Sequence, residues 1–193
     1  MPGAENFAAF MGVGTIKLVC FGDSNTYGYD PCSYLGGRYA RDSRWVDIIK
    51  SKTGWSVENM GENGREIPRD PLPFPPDADM LIIMLGTNDL LQGRDPRTVA
   101  GDMERFIQTI ALDRDKILLI APPPMVCGQW VQSAELIRAS FDLAQAYKEL
   151  ALRLGLRFAD AGQWRIELAY DGVHFTAQGH QAFAAGLLKE ICL

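Results

Sequence analysis

The chain has 193 residues, 47% of them hydrophobic, and a formal net charge of −5 at pH 7. That length suits one well-filled core better than two domains. The acidic balance and the lack of any basic block exclude a phosphate-tracking surface, so nucleic acid is not an expected partner. No apolar stretch approaches the ~20 residues that a bilayer span requires.

Residues 1–15 read as a leader and residues 16–193 as a single domain. Met1–Gly14 has neither the basic region nor the sustained apolar run of a secretory signal, and Met11 is an alternative start. Gly12-x-Gly14 precedes the first strand, whereas a dinucleotide-binding fingerprint follows one, which excludes a Rossmann enzyme. Cys20, Cys32, Cys127 and Cys192 are scattered without paired spacing, so neither zinc ligation nor a disulfide framework is expected. Free thiols in a reducing cytoplasm are the expectation.

In chain order, Ile16–Phe21 is a first buried strand, followed by Gly22-Asp23-Ser24-Asn25-Thr26. A serine at a strand-to-helix junction has its backbone N–H directed at an anion site, although the same residues also suit a plain helix cap. Trp45, Ile48 and Ile49 mark a short helix; Trp55–Glu58 is a weaker strand running into Asn59-Met60-Gly61-Glu62-Asn63-Gly64-Arg65. Pro68, Pro71, Pro73, Pro75 and Pro76 exclude a regular helix, so this crossover is expected to be an extended loop. Met80–Leu85 is the strongest strand and ends in Gly86-Thr87-Asn88-Asp89. Val99, Met103, Phe106, Ile107 and Ile110 recur at helical spacing. Lys116–Ala121 is the fourth strand, and Met125–Trp130 after it reads equally as a pocket wall or as helix-packing core. Leu136–Leu150 is amphipathic, Leu156–Ala159 is a fifth strand, and Thr176 caps a last helix burying Phe183, Leu187 and Ile191. Unalternating apolar runs separated by helices imply a three-layer α/β/α domain around a parallel sheet.

In such sheets ligands sit beyond the carboxyl ends of the strands, so the loops there are where chemistry is sought. A serine hydroxyl needs a base to become a nucleophile. The chain has only two histidines. His174 follows Asp171 on a loop at a spacing that lets the carboxylate hold Nδ1–H and leave Nε2 free to accept a proton. His180 falls inside the last helix and is the poorer candidate. Cys127 is disfavoured as a nucleophile because no histidine lies near it in sequence. Acyl transfer also requires donors for the developing oxyanion; Asn88 and one of Gly61 and Gly64 are placed to supply them.

Gly22-Asp23-Ser24, Gly64, Gly86-Thr87-Asn88-Asp89 and Asp171-Gly172-Val173-His174 resemble the four ordered blocks of the SGNH (GDSL-like) hydrolases, across residues 16–193. The resemblance implies a flavodoxin-like five-stranded sheet of order 2-1-3-4-5 and a Ser24–His174–Asp171 triad. It also implies an oxyanion hole from the Ser24 and Gly64 N–H groups and the Asn88 side chain, with no cofactor or metal. The family's spacing favours Gly64 over Gly61, which then reads as a turn residue.

LIIMLGTND, the prolines after the fourth strand, and FADAG followed by DGVHFT are similar to bacterial arylesterases with acyltransferase activity. Some of that branch are oligomers, so a homo-oligomer falls within what the resemblance implies. Asn25 departs from the leucine usual after the serine and is expected to alter the pocket wall. The candidate pocket residues are Asn25, Tyr27, Arg65, Met125, Cys127, Trp130 and Val173. The expected function is hydrolysis of small, short-chain esters, with acyl transfer as a further activity. Tyr27, Tyr29, Arg65 and Trp130 would equally suit a carbohydrate O-acetylesterase. A non-catalytic flavodoxin-like binding module explains the first loop, but not the placement of Asn88, Asp171 and His174 after other strands.

Overall fold

The structure, a computed structural model, describes residues 15–35 and 37–192. Met11 and the leader expected over 1–15 lie outside them, Thr15 apart. Five strands form one parallel sheet: β1 (Lys17–Gly22), β2 (Ser56–Gly61), β3 (Met80–Met84), β4 (Ile117–Ala121) and β5 (Arg157–Asp160). Their order is β2-β1-β3-β4-β5, as expected. β2 runs on past Glu58 because its pairing with β1 continues through Phe21 opposite Met60 and Gly22 opposite Gly61.

The helices are α1 (Ser24–Tyr27), α2 (Trp45–Thr53), α3 (Thr87–Leu91), α4 (Pro96–Gln108), α5 (Ala134–Leu154) and α6 (Ala177–Ile191). The one-turn helices α1 and α3 carry no amphipathic repeat, so periodicity does not announce them. Three longer helices, α4, α5 and α6, begin where a side chain takes up free backbone donors. Asp95 accepts from Arg97 and Thr98 with Pro96 in the first turn, Ser133 accepts from Leu136, and Thr176 accepts from Gly179. The Ser133 cap explains why α5 starts ahead of Leu136.

Successive residues of each strand face opposite layers. Val19, Phe21, Leu81, Ile83 and Leu119 pack with Met103 and Phe106 of α4 and Leu143 and Tyr147 of α5. Leu18, Cys20, Ile82, Met84, Leu118 and Ile120 pack with Trp45 and Ile49 of α2 and Phe183 and Leu187 of α6. Each large apolar side chain so buried stabilises the fold by roughly 1.5–3 kcal/mol. Between β2 and β3 the proline-rich crossover contains no helix, as expected. It covers the sheet all the same: Phe74 meets the Phe21 ring edge-on at 5.2 Å, and Ile67 is buried.

This topology positions the functional loops. β1 lies between β2 and β3, with Gly22 in register with Gly61 on one side and Met84 on the other. The loops carrying Ser24, Gly64 and Asn88 therefore leave the same sheet edge side by side.

Candidate active site

Ser24 opens α1 directly after β1, only 5% exposed. Asp23 caps that turn, its carboxylate accepting the Asn25 N–H at 2.9 Å. Burial pushes the Asp23 carboxyl up to about 6 against the pull of that hydrogen bond.

His174 Nε2 lies 3.0 Å from Ser24 Oγ, and His174 Nδ1 lies 2.7 Å from Asp171 Oδ2. Asp171 Oδ1 accepts the backbone N–H groups of Val173 and His174, both at 2.9 Å. Burial pushes the Asp171 carboxyl up, but the bonds from His174 and Val173 outweigh it and leave it below its ordinary range. It stays ionised and assigns the proton to Nδ1, leaving the Nε2 lone pair toward Ser24. Two rings enclose the imidazole, Tyr29 at 4.7 Å and Trp130 at 5.0 Å between centroids. Trp130 is held there because its segment is laced to the histidine loop. Val126 donates to Gly172 O, Gln129 to Tyr170 O and Trp130 to Asp171 O, at 3.0–3.1 Å.

Of the two glycines after β2, Gly61 already donates its N–H to Asn59 Oδ1 at 2.8 Å. It packs so closely on α1 that a Cβ would collide with the Thr26 and Tyr27 backbone. Gly64 stands in open space at φ +74°, where a side chain is strained, and its N–H has no partner among the described residues. Asn88 Nδ2 donates to Arg65 O at 3.0 Å, which leaves one amide hydrogen uncommitted. Asp89, buried beside it, accepts the Ile67 N–H at 3.2 Å and pairs with Arg94 at 2.7 Å. α3 thus fastens the Gly64 loop at two points, a role for Asp89 that no local spacing reveals.

The expected pocket residues divide. Trp130 and Cys127 are exposed beside the histidine loop. Met125 and Val173 are core residues, 2% and 5% exposed. Arg65 does not line a pocket as a free cation. Its guanidinium bonds the Gly22 and Met60 carbonyls and Glu62, and lies 4.4 Å over the Phe21 ring. Tyr27 is covered by the Arg38 guanidinium at 4.1 Å. Asn25, expected to shape the wall, is buried, and its amide is spent on the backbone around His174. Tyr29, expected around the site if acetylated sugars are the substrate, is the nearer of the two rings beside the imidazole. A cavity of about 960 Å³ opens over α2 and α6, and the three catalytic candidates are not among its lining residues. Among the described residues no group of three or more His, Cys, Asp or Glu side chains could hold a metal ion.

The model of the GDSL-like lipase/acylhydrolase family matches residues 20–182. The chain belongs to that family. Membership makes it a hydrolase of carboxylic esters. Among solved structures, this acylhydrolase is similar to a protein of Agrobacterium tumefaciens assigned as an arylesterase. The identity is 30% over 92% of this chain and 99% of that one, with a TM-score of 0.78. The native aryl esterase of M. smegmatis is 25% identical over 92% and 99%, with a TM-score of 0.78. A carbohydrate acetylesterase family member from Sinorhizobium meliloti is 25% identical over 93% and 100%, with a TM-score of 0.75. No curated protein gives a significant match.

Proposed function

We propose that this acylhydrolase cleaves short-chain esters through an acyl-enzyme on Ser24, within one domain spanning residues 16–193. The observation that carries the reading is the continuous chain of contacts from Asp171 through His174 to Ser24, at 2.7 and 3.0 Å. His174 Nε2 takes the hydroxyl proton as Ser24 Oγ attacks the ester carbonyl, and Asp171 stabilises the imidazolium that forms. The N–H groups of Ser24 and Gly64 and the free Asn88 amide hydrogen receive the oxyanion. His174 then returns the proton to the leaving alcohol, and water, activated by the same imidazole, releases the acid. No residue role in this cycle requires a cofactor.

A short acyl group, acetyl to butyryl, is supported by the burial of Met125 and Val173, 2% and 5% exposed, which withdraws two expected wall residues from contact with a long chain. An alcohol that displaces water at the second step would make the enzyme an acyltransferase. Acetylated sugars are a second substrate class, suggested by the Sinorhizobium meliloti neighbour. No described helix is long and apolar enough to cross a membrane, and the four cysteines are free. The free thiols support a cytoplasmic setting.

Aryl esters of increasing acyl length, compared with acetylated sugars and with methanol as competing acceptor, test the substrate reading. Acetyl to butyryl aryl esters are expected to turn over fastest, and faster turnover of octanoyl esters overturns the short-chain assignment. Ser24→Ala is expected to abolish turnover and fluorophosphonate labelling while keeping the fold. Turnover above a few per cent would remove Ser24 as the nucleophile.

A further inference from the structure

Asn25 follows the nucleophile directly in sequence, yet its side chain is committed to the other end of the chain. Its Nδ2 donates to the Val173 carbonyl at 3.2 Å, and its Oδ1 accepts the Phe175 N–H at 2.9 Å. Those two groups flank His174, so one planar amide grips the backbone on both sides of the base. The amide is itself anchored. The Asn25 N–H donates to Asp23 at 2.9 Å, and its carbonyl accepts the indole N–H of the fully buried Trp45 at 2.9 Å. Every polar group of a residue only 4% exposed is therefore partnered.

We propose that Asn25 is a positioning residue for the reaction, setting the Ser24–His174 distance by fastening the backbone around His174 to the nucleophile's helix. The proposal rests on the catalytic reading given above. Asp171 fixes the rotation of the imidazole, but Asp171 and His174 share a loop and would shift together. The rings of Tyr29 and Trp130 confine the imidazole without directional bonds. The Asn25 amide is directional, and it joins that loop to the serine's own turn. The task requires one donor and one acceptor held in a single plane, which an asparagine side chain offers. Leucine, usual here in the family, makes neither bond, and in this chain would leave a buried carbonyl and a buried N–H without partners. Aspartate keeps the acceptor for Phe175 but sets an oxygen against the Val173 carbonyl.

The test compares Asn25→Leu, Asn25→Asp and Ser24→Ala in the full chain, using an aryl acetate as substrate and a fluorophosphonate as covalent probe. Displacing a base by about 1 Å costs on the order of 100-fold. For both Asn25 variants kcat is expected to fall roughly 10- to 100-fold, with KM within about threefold of the parent. The labelling rate of folded protein, checked by circular dichroism, is expected to fall by the same factor, which lost stability alone would not produce. Should Asn25→Leu fail to fold, the near-isosteric Asn25→Asp carries the test. A folded variant with kcat and labelling rate within twofold of the parent overturns the proposal, as does a change confined to KM or acyl preference. If Ser24→Ala keeps its activity, the catalytic reading falls first. If Ser24→Ala is dead and the Asn25 variants are not impaired, only the clamp falls.

Discussion

His174 and His180 are both buried, at 4% and 0% exposure, and they stand one loop and one helical turn apart. Their surroundings differ most in the supply of hydrogen-bond partners. Both ring nitrogens of His174 are engaged, one by Asp171 and the other by Ser24. Among the described residues neither ring nitrogen of His180 has a hydrogen-bond partner, and the rings of Tyr39 and Phe175 flank it at 5.3 Å each. Burial, then the nearby charges of Arg44 and His174, push His180 down to about 3, so its ring is neutral in the folded protein above that value. Burial alone makes an inert imidazole. A carboxylate on one side and a hydroxyl on the other make one that can carry a proton.

The largest expected effect separates the two rings outright. His174→Ala is expected to lower kcat for an aryl acetate by about 10⁴-fold or more, as loss of a base in such a unit does. A loss of less than tenfold would place the base elsewhere. An intermediate effect probes the donors on the other side of Ser24. Asn88→Ala removes one proposed oxyanion donor and is expected to cost about 10²–10³ in kcat with little change in KM. Steady-state kinetics on the folded variant measure both.

The smallest effect falls on His180. His180→Leu removes two buried nitrogens that lack partners, and is expected to raise stability by about 1 kcal/mol while turnover is retained. Its pH dependence sharpens the contrast. The folded value of His180 lies below the ordinary 6.5, so its neutral ring favours the folded state fully above pH 6.5. That contribution is lost as pH falls from 6.5 toward about 3, because the unfolded chain takes up a proton that the folded one refuses. Urea unfolding of His180→Leu across this window should show an acid limb shallower than the parent's by up to about 1.4 kcal/mol per pH unit. Equal slopes would mean that His180 is protonated in the folded protein.

Much of this was legible in the residues themselves. Unbroken apolar runs such as Met80–Met84 announce buried parallel strands, and glycine, asparagine and serine after three of them announce a shared edge. Asp171 and His174 lie on one loop, so their pairing could be read from spacing. What could not be read depends on side chains meeting across the fold. Asn25 looked like a wall residue because its neighbours in sequence form the turn of Ser24, whereas its partners lie 148 and 150 residues on. Arg65 reads as a pocket residue in the sequence, whereas the carbonyls at the ends of β1 and β2 claim its guanidinium. Asp89 reads as one more turn residue, and only the folded chain brings it to the Ile67 N–H and Arg94.

Ser24 and His174 are separated by 150 positions along the chain, as are Asn25 and Phe175. Closing so long a loop has a large entropic cost that local contacts cannot offset in advance. On a ribosome, which releases the chain from its N-terminus, α1 emerges 150 residues ahead of the histidine that meets it. A growing chain therefore displays Ser24 long before His174 can meet it, and the contact proposed to activate the serine forms only once the His174 loop has been made.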